Sequence, residues 1–347
     1  MNASPPLRVV QYGLGPIGLA CARIALAKTH TGGLRLVGAI DVDPAKAGRD
    51  LAELLDDVET TGVVVSADAA HTLAVTEPDV VLHTTSSFLE GVRDQLIGCL
   101  RAGAHVVSST EELSYPFDRH PALAAELDEH ARAAGVVLVG TGVNPGYAMD
   151  TLALAATGAC VDVTRVEVER VVDAGARRGP LQRKVGAGMT PEEFEAKKAT
   201  GTFGHIGLRE SLLMIADGLG WTLDEVRETL DPVLSERRHT TPHLTVEAGA
   251  VAGIHHAITG HAGGEEVLSL SLEMYVGAED PRDAIRVDGD PAVDLVVPGG
   301  FFGDTATVGA LINTAALVRS APPGLRTMTQ LPVPRAFATR PLPVQAE

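Results

Sequence analysis

The sequence is poor in positive charge. Its 347 residues include 28 Lys and Arg against 45 Asp and Glu, which gives a formal net charge of −17. Because nucleic acids and anionic membranes are bound by concentrated positive surface, this balance argues against either as the main partner. The chain also lacks an apolar run of about 18 residues, so we expect no membrane span.

Signals for export and for disulfide bonding are missing as well. Residues 1–6 have neither the charged nor the apolar region of a signal peptide. The three cysteines, Cys21, Cys99 and Cys160, are widely spaced and odd in number. We therefore expect buried, reduced thiols and a cytoplasmic protein, with neither a disulfide nor a metal site.

A glycine-rich segment near the N-terminus is the most informative motif. Gly13, Gly15 and Gly18 follow an apolar strand and lead into a helical pattern, with Pro16 and Ile17 at the helix start. In dinucleotide-binding folds the first glycine permits a tight turn, the second lets the backbone approach a pyrophosphate, and the third allows close helix packing. The N–H groups at the helix start point at the phosphates. We therefore predict that this segment binds NAD or NADP.

Secondary-structure patterns divide the chain and predict an α/β fold. Strands alternate with helices in the first half, which indicates a doubly wound parallel sheet of the Rossmann type. Further on, apolar and polar residues alternate, as in Leu268–Val276, which indicates a second α+β domain with a mostly antiparallel sheet. We predict a dinucleotide-binding domain over 1–150, a substrate and dimerisation domain over 151–300, and a C-terminal helix and tail over 301–347 that returns to the first domain.

Capping signals predict where several helices begin. Asp43 and Pro44 predict a helix that continues to about residue 55. Thr190 and Glu193 form a capping box, and Thr222 precedes Glu225 with the same spacing. We expect a helix after each of these signals, and a last one from residue 304 or 305 that packs on the first domain.

Ligands in such sheets bind beyond the carboxyl ends of the strands. Asp41 ends the second strand, 23 positions after the last glycine of the motif, and its carboxylate can accept both ribose hydroxyls of NAD and repel a 2′-phosphate. Lys46 and Arg49 could instead reach a phosphate or be solvated, so the preference between NAD and NADP stays open. Thr84 and Ser86 follow the fourth strand, where their hydroxyls would suit the nicotinamide ribose or a helix cap.

Two further strand ends carry groups suited to chemistry. Residues 109–112, Ser-Thr-Glu-Glu, follow the fifth strand, and residues 144–147, Asn-Pro-Gly-Tyr, follow the sixth. Paired glutamates are also common at helix starts, and Pro-Gly can be a simple turn between domains. Because both segments converge on one crevice, we favour a site there, with Ser109 and Asn144 as further cofactor contacts.

Segments along nearly the whole chain resemble one family. The specific ones are Thr110–Pro116 and Gly142–Gly146, and the others are Gly13–Gly18, Gly38–Asp41, Gly186–Gly188, Gly204–Leu208, Gly303–Thr307 and Pro323–Leu325. In these the chain resembles the 2,4-diaminopentanoate dehydrogenases and the related native amine dehydrogenases, whose cofactor domain is similar to that of dihydrodipicolinate reductase. The resemblance implies reversible, NAD(P)-linked conversion of an amine into a ketone or aldehyde plus ammonia.

The resemblance also implies roles for particular residues. The acid/base of the family is a glutamate in the segment Thr110–Glu112, and its spacing to Asn144 leads us to choose Glu111. One carboxylate near the reacting carbon can both deprotonate ammonium and assist the loss of water. The neighbouring glutamate would then cap or support the turn. Tyr147 and Ala148 would line the substrate pocket, and His205 would either project toward the substrate or be structural.

Other functions remain open on the sequence alone. The chain could be a 2,4-diaminopentanoate dehydrogenase proper, or an alcohol or semialdehyde dehydrogenase of the same fold that works without ammonia. It could also be a non-enzymatic sensor of NAD(P), which would tolerate the loss of Glu111. Since the strand Leu268–Val276 belongs to a sheet expected to face another subunit, we predict a homodimer.

Overall fold

The computed structural model describes residues 5–29, 33–55, 60–201 and 203–336. The chain forms two compact units: the first comprises Met1–Tyr147 and Gly303–Glu347, and the second comprises Ala148–Phe302. Residues 1–4, on which the expected absence of a signal peptide partly rests, lie outside the described ranges. So do residues 337–347 of the predicted tail.

The elements alternate between strands and helices up to β6 and are mostly strands afterwards. The strands are β1 (Leu7–Tyr12), β2 (Leu34–Ile40), β3 (Val65–Ser66), β4 (Val80–His83), β5 (His105–Ser108), β6 (Val137–Gly140), β7 (Asp162–Asp173), β8 (Glu225–Leu234), β9 (His239–Thr240), β10 (Thr245–Val246), β11 (Val251–Ala262), β12 (Glu265–Tyr275), β13 (Arg282–Asp290), β14 (Val293–Pro298) and β15 (Gly324–Arg326). The α-helices are α1 (Pro16–Thr29), α2 (Ala69–Thr76), α3 (Arg93–Arg101), α4 (Pro121–Ala134), α5 (Thr151–Thr157), α6 (Gly179–Lys184), α7 (Pro191–Lys198), α8 (Leu208–Leu219) and α9 (Gly303–Ala315).

The first unit is built on a seven-stranded sheet in the order β15-β6-β5-β4-β1-β2-β3, and every pair in it is parallel. Val80, Val81 and Leu82 of β4 are all fully buried, as expected for a central strand covered on both faces. Helix α9 packs against α1 within this unit. The predicted Rossmann-type sheet is confirmed, and its parallel strands bring β1, β2, β4, β5 and β6 to one carboxyl edge.

The second unit is built on a six-stranded sheet in the order β14-β13-β7-β12-β11-β8. Only the pair β7–β12 is parallel, so the predicted mostly antiparallel sheet is confirmed. Alternation along β12 puts the buried Leu268, Leu270 and Leu272 on the face that packs against α8. Ser269 and Ser271 lie on the opposite face, which is polar.

Two of the predicted helices have the expected ends. The Thr190 hydroxyl accepts a hydrogen bond from the Glu193 N–H at 3.2 Å, and the Glu193 carboxylate accepts one from the Thr190 N–H at 2.9 Å, which is a complete capping box. Helix α8 ends at Gly220, whose φ of +70° lies in the left-handed region that favours glycine.

Two other predicted helices are wrong. After Asp43 the chain forms turns, and Asp50 caps a 3₁₀ helix, Leu51–Leu54; its carboxylate also accepts hydrogen bonds from the Thr61 N–H at 3.1 Å and the Thr61 hydroxyl at 2.8 Å. The segment after Thr222 forms β8 because it pairs with β11 along its length. Sheet pairing therefore outweighs the local capping signal there.

The cysteines are free thiols in different settings. Cys21 and Cys99 are buried, and burial raises the pKa of each thiol to about 12. Cys160 is half-buried rather than buried as predicted. Within the described ranges, no helix is long and apolar enough to cross a membrane. The same part of the chain holds no group of three or more His, Cys, Asp or Glu residues suited to a metal ion.

Candidate active site

The glycine motif forms a tight turn between β1 and α1. Gly13 has a φ of +89°, a backbone conformation that favours glycine. A Cβ atom on Gly13 would lie 2.6 Å from the carbonyl oxygen of Thr84, and one on Gly18 would lie 1.9 Å from the carbonyl oxygen of Gly13. Both positions are therefore closed to any side chain by backbone atoms.

Gly15 differs from the other two glycines, because a Cβ atom there would meet no atom within 4 Å. The space in front of it lies at the N-terminus of α1, where Pro16 is exposed and Ile17 half-buried. Free backbone N–H groups at a helix start attract phosphate. The turn thus fits the pyrophosphate of NAD(P), with open space at the second glycine and close packing at the first and third.

A buried glutamine braces this turn from inside the sheet. Gln11 of β1 is fully buried, and its Nε2 donates hydrogen bonds to the Gly13 carbonyl at 3.0 Å and to the Thr84 hydroxyl at 2.9 Å. The Thr84 hydroxyl in turn donates to the Gly13 carbonyl at 3.0 Å. Thr84 is therefore tied to the glycine turn, and its predicted contact with the nicotinamide ribose stays a prediction. A polar residue inside an apolar strand was the only sequence signal for Gln11.

Asp41 directly follows β2 and is anchored on both carboxylate oxygens. Oδ2 accepts hydrogen bonds from the Leu14 N–H at 2.7 Å and the Lys46 ammonium at 3.0 Å, and Oδ1 accepts one from the Asp43 N–H at 2.9 Å. Burial alone would raise the pKa of Asp41, but these hydrogen bonds and the charge of Lys46 outweigh it and hold the pKa below its usual value. Asp41 is therefore ionised at neutral pH.

The basic residues beyond Asp41 have carboxylate partners. Lys46 pairs with Asp41 at 3.0 Å and lies 3.5 Å from the Asp43 carboxylate, while Arg49 pairs with Glu53 at 3.0 Å. Of the two candidates for a phosphate contact, only Lys46 is thus held at the carboxylate that would face the ribose.

The two adjacent glutamates begin a 3₁₀ helix, Glu111–Ser114, just after β5, and their surroundings differ. Glu112 is 6% exposed, and its Oε2 accepts a hydrogen bond from the Leu89 N–H at 2.7 Å and lies 3.0 Å from His120 Nε2. Glu111 is half-buried. The carboxylate of Glu112 thus has a structural role, since it binds a neighbouring loop and the residue before α4.

Hydrogen bonds connect the segments that follow β4 and β5. The Ser109 N–H donates to the His83 carbonyl at 2.9 Å, and the Glu112 N–H donates to the Ser87 carbonyl at 3.3 Å. The Thr110 hydroxyl donates to the Ser86 carbonyl at 2.8 Å. Ser86 and Ser109, both predicted cofactor contacts, therefore lie on neighbouring loops at the carboxyl edge of the sheet.

Asn144 lies in a tight loop after β6. The residue is 8% exposed, and the Asn144–Pro145 peptide bond is cis. Gly146 has a φ of +120°, and a Cβ atom there would lie 2.6 Å from the Thr141 hydroxyl. The Val143 N–H donates to the hydroxyl of Thr307 in α9 at 3.3 Å. The loop is therefore packed closely within the first unit.

The predicted substrate-pocket residues belong to both units. Tyr147 is the last residue of the first unit before the crossing and is half-buried, while Ala148 begins the second unit and is fully buried. In the second unit the His205 N–H donates to His256 Nδ1 at 3.3 Å, and the buried Nε2 of His205 has no hydrogen-bond partner among the residues that the structure describes. The structure therefore does not explain the His205 ring as a satisfied structural group.

Burial lowers the pKa of His205 to about 3, and the charges of Lys184, His256 and Arg170 add to the shift. Its imidazole is therefore uncharged at neutral pH. Toward a substrate it can act as a hydrogen-bonding group but not as a cation.

Known proteins match this chain along nearly its whole length. The family model of the 2,4-diaminopentanoate dehydrogenase C-terminal domain matches residues 147–342. The chain is 32% identical to a 2,4-diaminopentanoate dehydrogenase from Acetoanaerobium sticklandii over 95% of both chains. It is 24% identical to an amine dehydrogenase from Streptomyces virginiae over 94% of this chain and 96% of that one. The solved amine dehydrogenase of Mycobacterium smegmatis has a TM-score of 0.83 and 26% identity, covering 97% of this chain and 99% of that one.

Proposed function

The chain belongs to the 2,4-diaminopentanoate dehydrogenase family and is an NAD(P)-dependent amine dehydrogenase, and we propose that Glu111 is the acid/base of its reaction. That reaction is the reversible oxidative deamination of a small amine to a ketone or aldehyde plus ammonia. One observation carries the assignment: the Glu112 carboxylate accepts a hydrogen bond from the Leu89 N–H and lies 3.0 Å from His120 Nε2, so Glu112 serves as the structural member of the pair and the acid/base role goes to Glu111. The first unit would bind the dinucleotide and the second the substrate.

The chemistry asks for one carboxylate that moves protons in two places. In the amination direction Glu111 takes a proton from ammonium, so that the free nitrogen can attack the carbonyl carbon. The same group then gives a proton to the departing hydroxyl of the carbinolamine, which leaves as water and gives an iminium. The bound cofactor supplies hydride to the iminium carbon, or accepts it from the amine in the reverse direction.

The residues around the glycine turn would hold that cofactor. The open space at Gly15 and the N-terminus of α1 suit the pyrophosphate, and the ionised Asp41 suits the adenosine ribose. Ser86, Ser109 and Asn144 lie on the loops that follow β4, β5 and β6, and we propose them as contacts for the nicotinamide half.

The amine reaction is tested in the oxidative direction. Wild-type protein is incubated with NAD⁺ or NADP⁺ and a panel of amines that includes 2,4-diaminopentanoate and simple amines without a carboxylate. We expect reduced cofactor and ammonium to appear in equal amounts with at least one amine. Reduction of the cofactor by alcohols or aldehydes without release of ammonium would contradict the proposal.

We propose that the enzyme prefers NAD(H) to NADP(H), because the ionised Asp41 repels a 2′-phosphate. The substitution Asp41→Asn keeps an acceptor for the Leu14 N–H but removes the negative charge opposite Lys46. We expect the ratio of kcat/KM for NADPH to that for NADH to rise about tenfold or more. Asp43→Asn is the matched control, since it removes the same charge two residues away and should leave the ratio nearly unchanged. A wild-type preference for NADPH would refute the proposal.

We propose that the polar face of the second unit's sheet is covered by a second copy of the chain. Ser271 of β12 pairs in register with Ala257 of β11 and Glu169 of β7, so the middle of this face carries small and polar side chains. We expect sedimentation at micromolar concentration to give twice the chain mass of 36.1 kDa. Ser271→Arg should give the monomer mass, while Ser320→Arg, an exposed control in the first unit, should not. A monomeric wild type would overturn the proposal.

Three free thiols support a cytoplasmic location.

A further inference from the structure

A buried histidine that the proposed reaction does not use lies beside β5, the strand that precedes Glu111. His83 ends β4, is fully buried, and pairs in register with Ser108, the last residue of β5. Its Nδ1 lies 2.9 Å from the Ser108 hydroxyl, and its Nε2 lies 2.9 Å from Oε1 of Gln95 in α3. The ring of Tyr12 packs edge-on against the imidazole, with the ring centres 5.5 Å apart. The imidazole is therefore held on three sides.

Both ring nitrogens of His83 have hydrogen-bonding partners. The Ser108 hydroxyl lies beside Nδ1, and the Thr85 hydroxyl and Gln95 Oε1 both lie 2.9 Å from Nε2. Burial lowers the pKa of His83 to about 4, so the ring remains neutral at physiological pH. The neutral ring therefore acts on Ser108 as a hydrogen-bonding partner rather than as a charge.

Hydrogen bonds continue from Ser108 to the turn that carries Glu111. The Thr110 N–H donates to the Ser108 hydroxyl at 3.1 Å, and the Ser108 hydroxyl donates to the Thr110 hydroxyl at 3.0 Å. The Thr110 hydroxyl donates to the Ser86 carbonyl at 2.8 Å. Ser108 and Thr110 are both fully buried, and Thr110 is the residue immediately before Glu111. The chain of bonds thus runs from the sheet interior to the backbone of the proposed acid/base.

We propose that His83, Ser108 and Thr110 form a positioning network that sets the direction of the Glu111 side chain. The inference rests on the proposed function, since it assumes that Glu111 moves the protons. Acid/base catalysis depends on placing the carboxylate within hydrogen-bond reach of the reacting groups, and a small displacement is costly. Every member of the network is buried, so breaking one link leaves a polar group without a partner and the turn free to shift.

The test uses Ser108→Ala and Thr110→Val, which remove single hydroxyl groups and keep the approximate volume. We expect kcat for reductive amination to fall about 10- to 100-fold, while the Kd for NADH, measured by fluorescence titration, changes less than about twofold. The solvent deuterium isotope effect on kcat should rise, because proton transfer becomes slower relative to the other steps. Thr110→Ser keeps the hydroxyl and should restore most of kcat.

Thr72→Val is the matched control, because Thr72 is also a buried threonine whose hydroxyl donates to a backbone carbonyl, that of Asp68, at 2.8 Å. It should lower stability without changing kcat or the isotope effect. The proposal is overturned if the network variants behave like Thr72→Val, if they lose activity only through weaker NADH binding, or if Thr110→Ser is as impaired as Thr110→Val. Glu111→Gln is measured beside them: if it keeps full activity, the acid/base role fails and the network proposal with it. If Glu111→Gln is inactive and the network variants are normal, only the network proposal fails.

Discussion

Glu111→Gln lowers kcat for reductive amination about 100- to 10,000-fold, the range over which a positioned acid/base contributes. Glutamine has nearly the shape of glutamate but can neither take a proton from ammonium nor give one to the departing hydroxyl. We have proposed the NADH site at the glycine turn and the end of β2, so we expect the Kd for NADH to stay within about twofold of wild type. Steady-state rates and fluorescence titration of the purified variants measure the two quantities.

The matched control for this substitution is the neighbouring residue. Glu112→Gln retains an oxygen that can accept from the Leu89 N–H, so we expect kcat to fall less than about tenfold. Glu112→Ala leaves that N–H and His120 without their partner and should destabilise the first unit by about 1–3 kcal/mol, which thermal unfolding would report. Full activity in Glu111→Gln, together with loss in Glu112→Gln at unchanged stability, would reverse the assignment.

Two glycine substitutions should each have a large effect on a different property: Gly18→Ala on stability and Gly15→Ala on cofactor binding. Gly18→Ala puts a Cβ atom 1.9 Å from the Gly13 carbonyl oxygen, so the turn must move and the free energy of unfolding should fall by about 3 kcal/mol or more. Gly15→Ala meets nothing within 4 Å, so we expect the unfolding temperature to remain that of wild type. Its methyl group occupies the space assigned to the pyrophosphate, so the Kd for NADH should rise about tenfold or more.

The comparison between these two glycines separates packing from cofactor binding. Thermal unfolding and NADH titration are measured on both variants. If Gly15→Ala binds NADH as tightly as wild type while remaining folded, the pyrophosphate does not lie in front of Gly15 and the assigned cofactor site is wrong.

The parts of the site that sequence predicts are those with local causes. Gly13 and Gly18 are required by backbone atoms close to them, and Gly15 borders the open space that we assign to the phosphates, so spacing alone identifies the turn. Asp41 follows β2 at the expected distance, and its position was likewise predictable. Thr190 and Glu193 bond to each other, which is why their capping box is visible in four consecutive residues.

The errors and omissions have distant causes. Thr222 and Glu225 have the spacing of a helix start, but the segment that follows them forms β8. Its partner strand β11 begins only at Val251, so the cause lies outside the local sequence. Gln11 and His83 appear in the sequence as isolated polar residues within apolar strands. Their partners come from other elements: Thr84 from beyond β4 for Gln11, and Ser108 and Gln95 from β5 and α3 for His83.

The choice between the two glutamates shows the same division. Resemblance selects the segment Thr110–Glu112 and spacing to Asn144 favours Glu111. The contacts of Glu112 with Leu89, in a neighbouring loop, and with His120, just before α4, are visible only in the structure. No local pattern contains that information.

The most direct test of the account is the dependence of turnover on ammonium. Wild-type protein is mixed with NADH and a panel of ketones and aldehydes at mildly alkaline pH, with and without ammonium, and the oxidation of NADH is followed by absorbance. The account predicts oxidation only when ammonium is present, with the amine as product. Oxidation of NADH at the same rate without ammonium would contradict it and place the chain with the alcohol or aldehyde dehydrogenases of this fold.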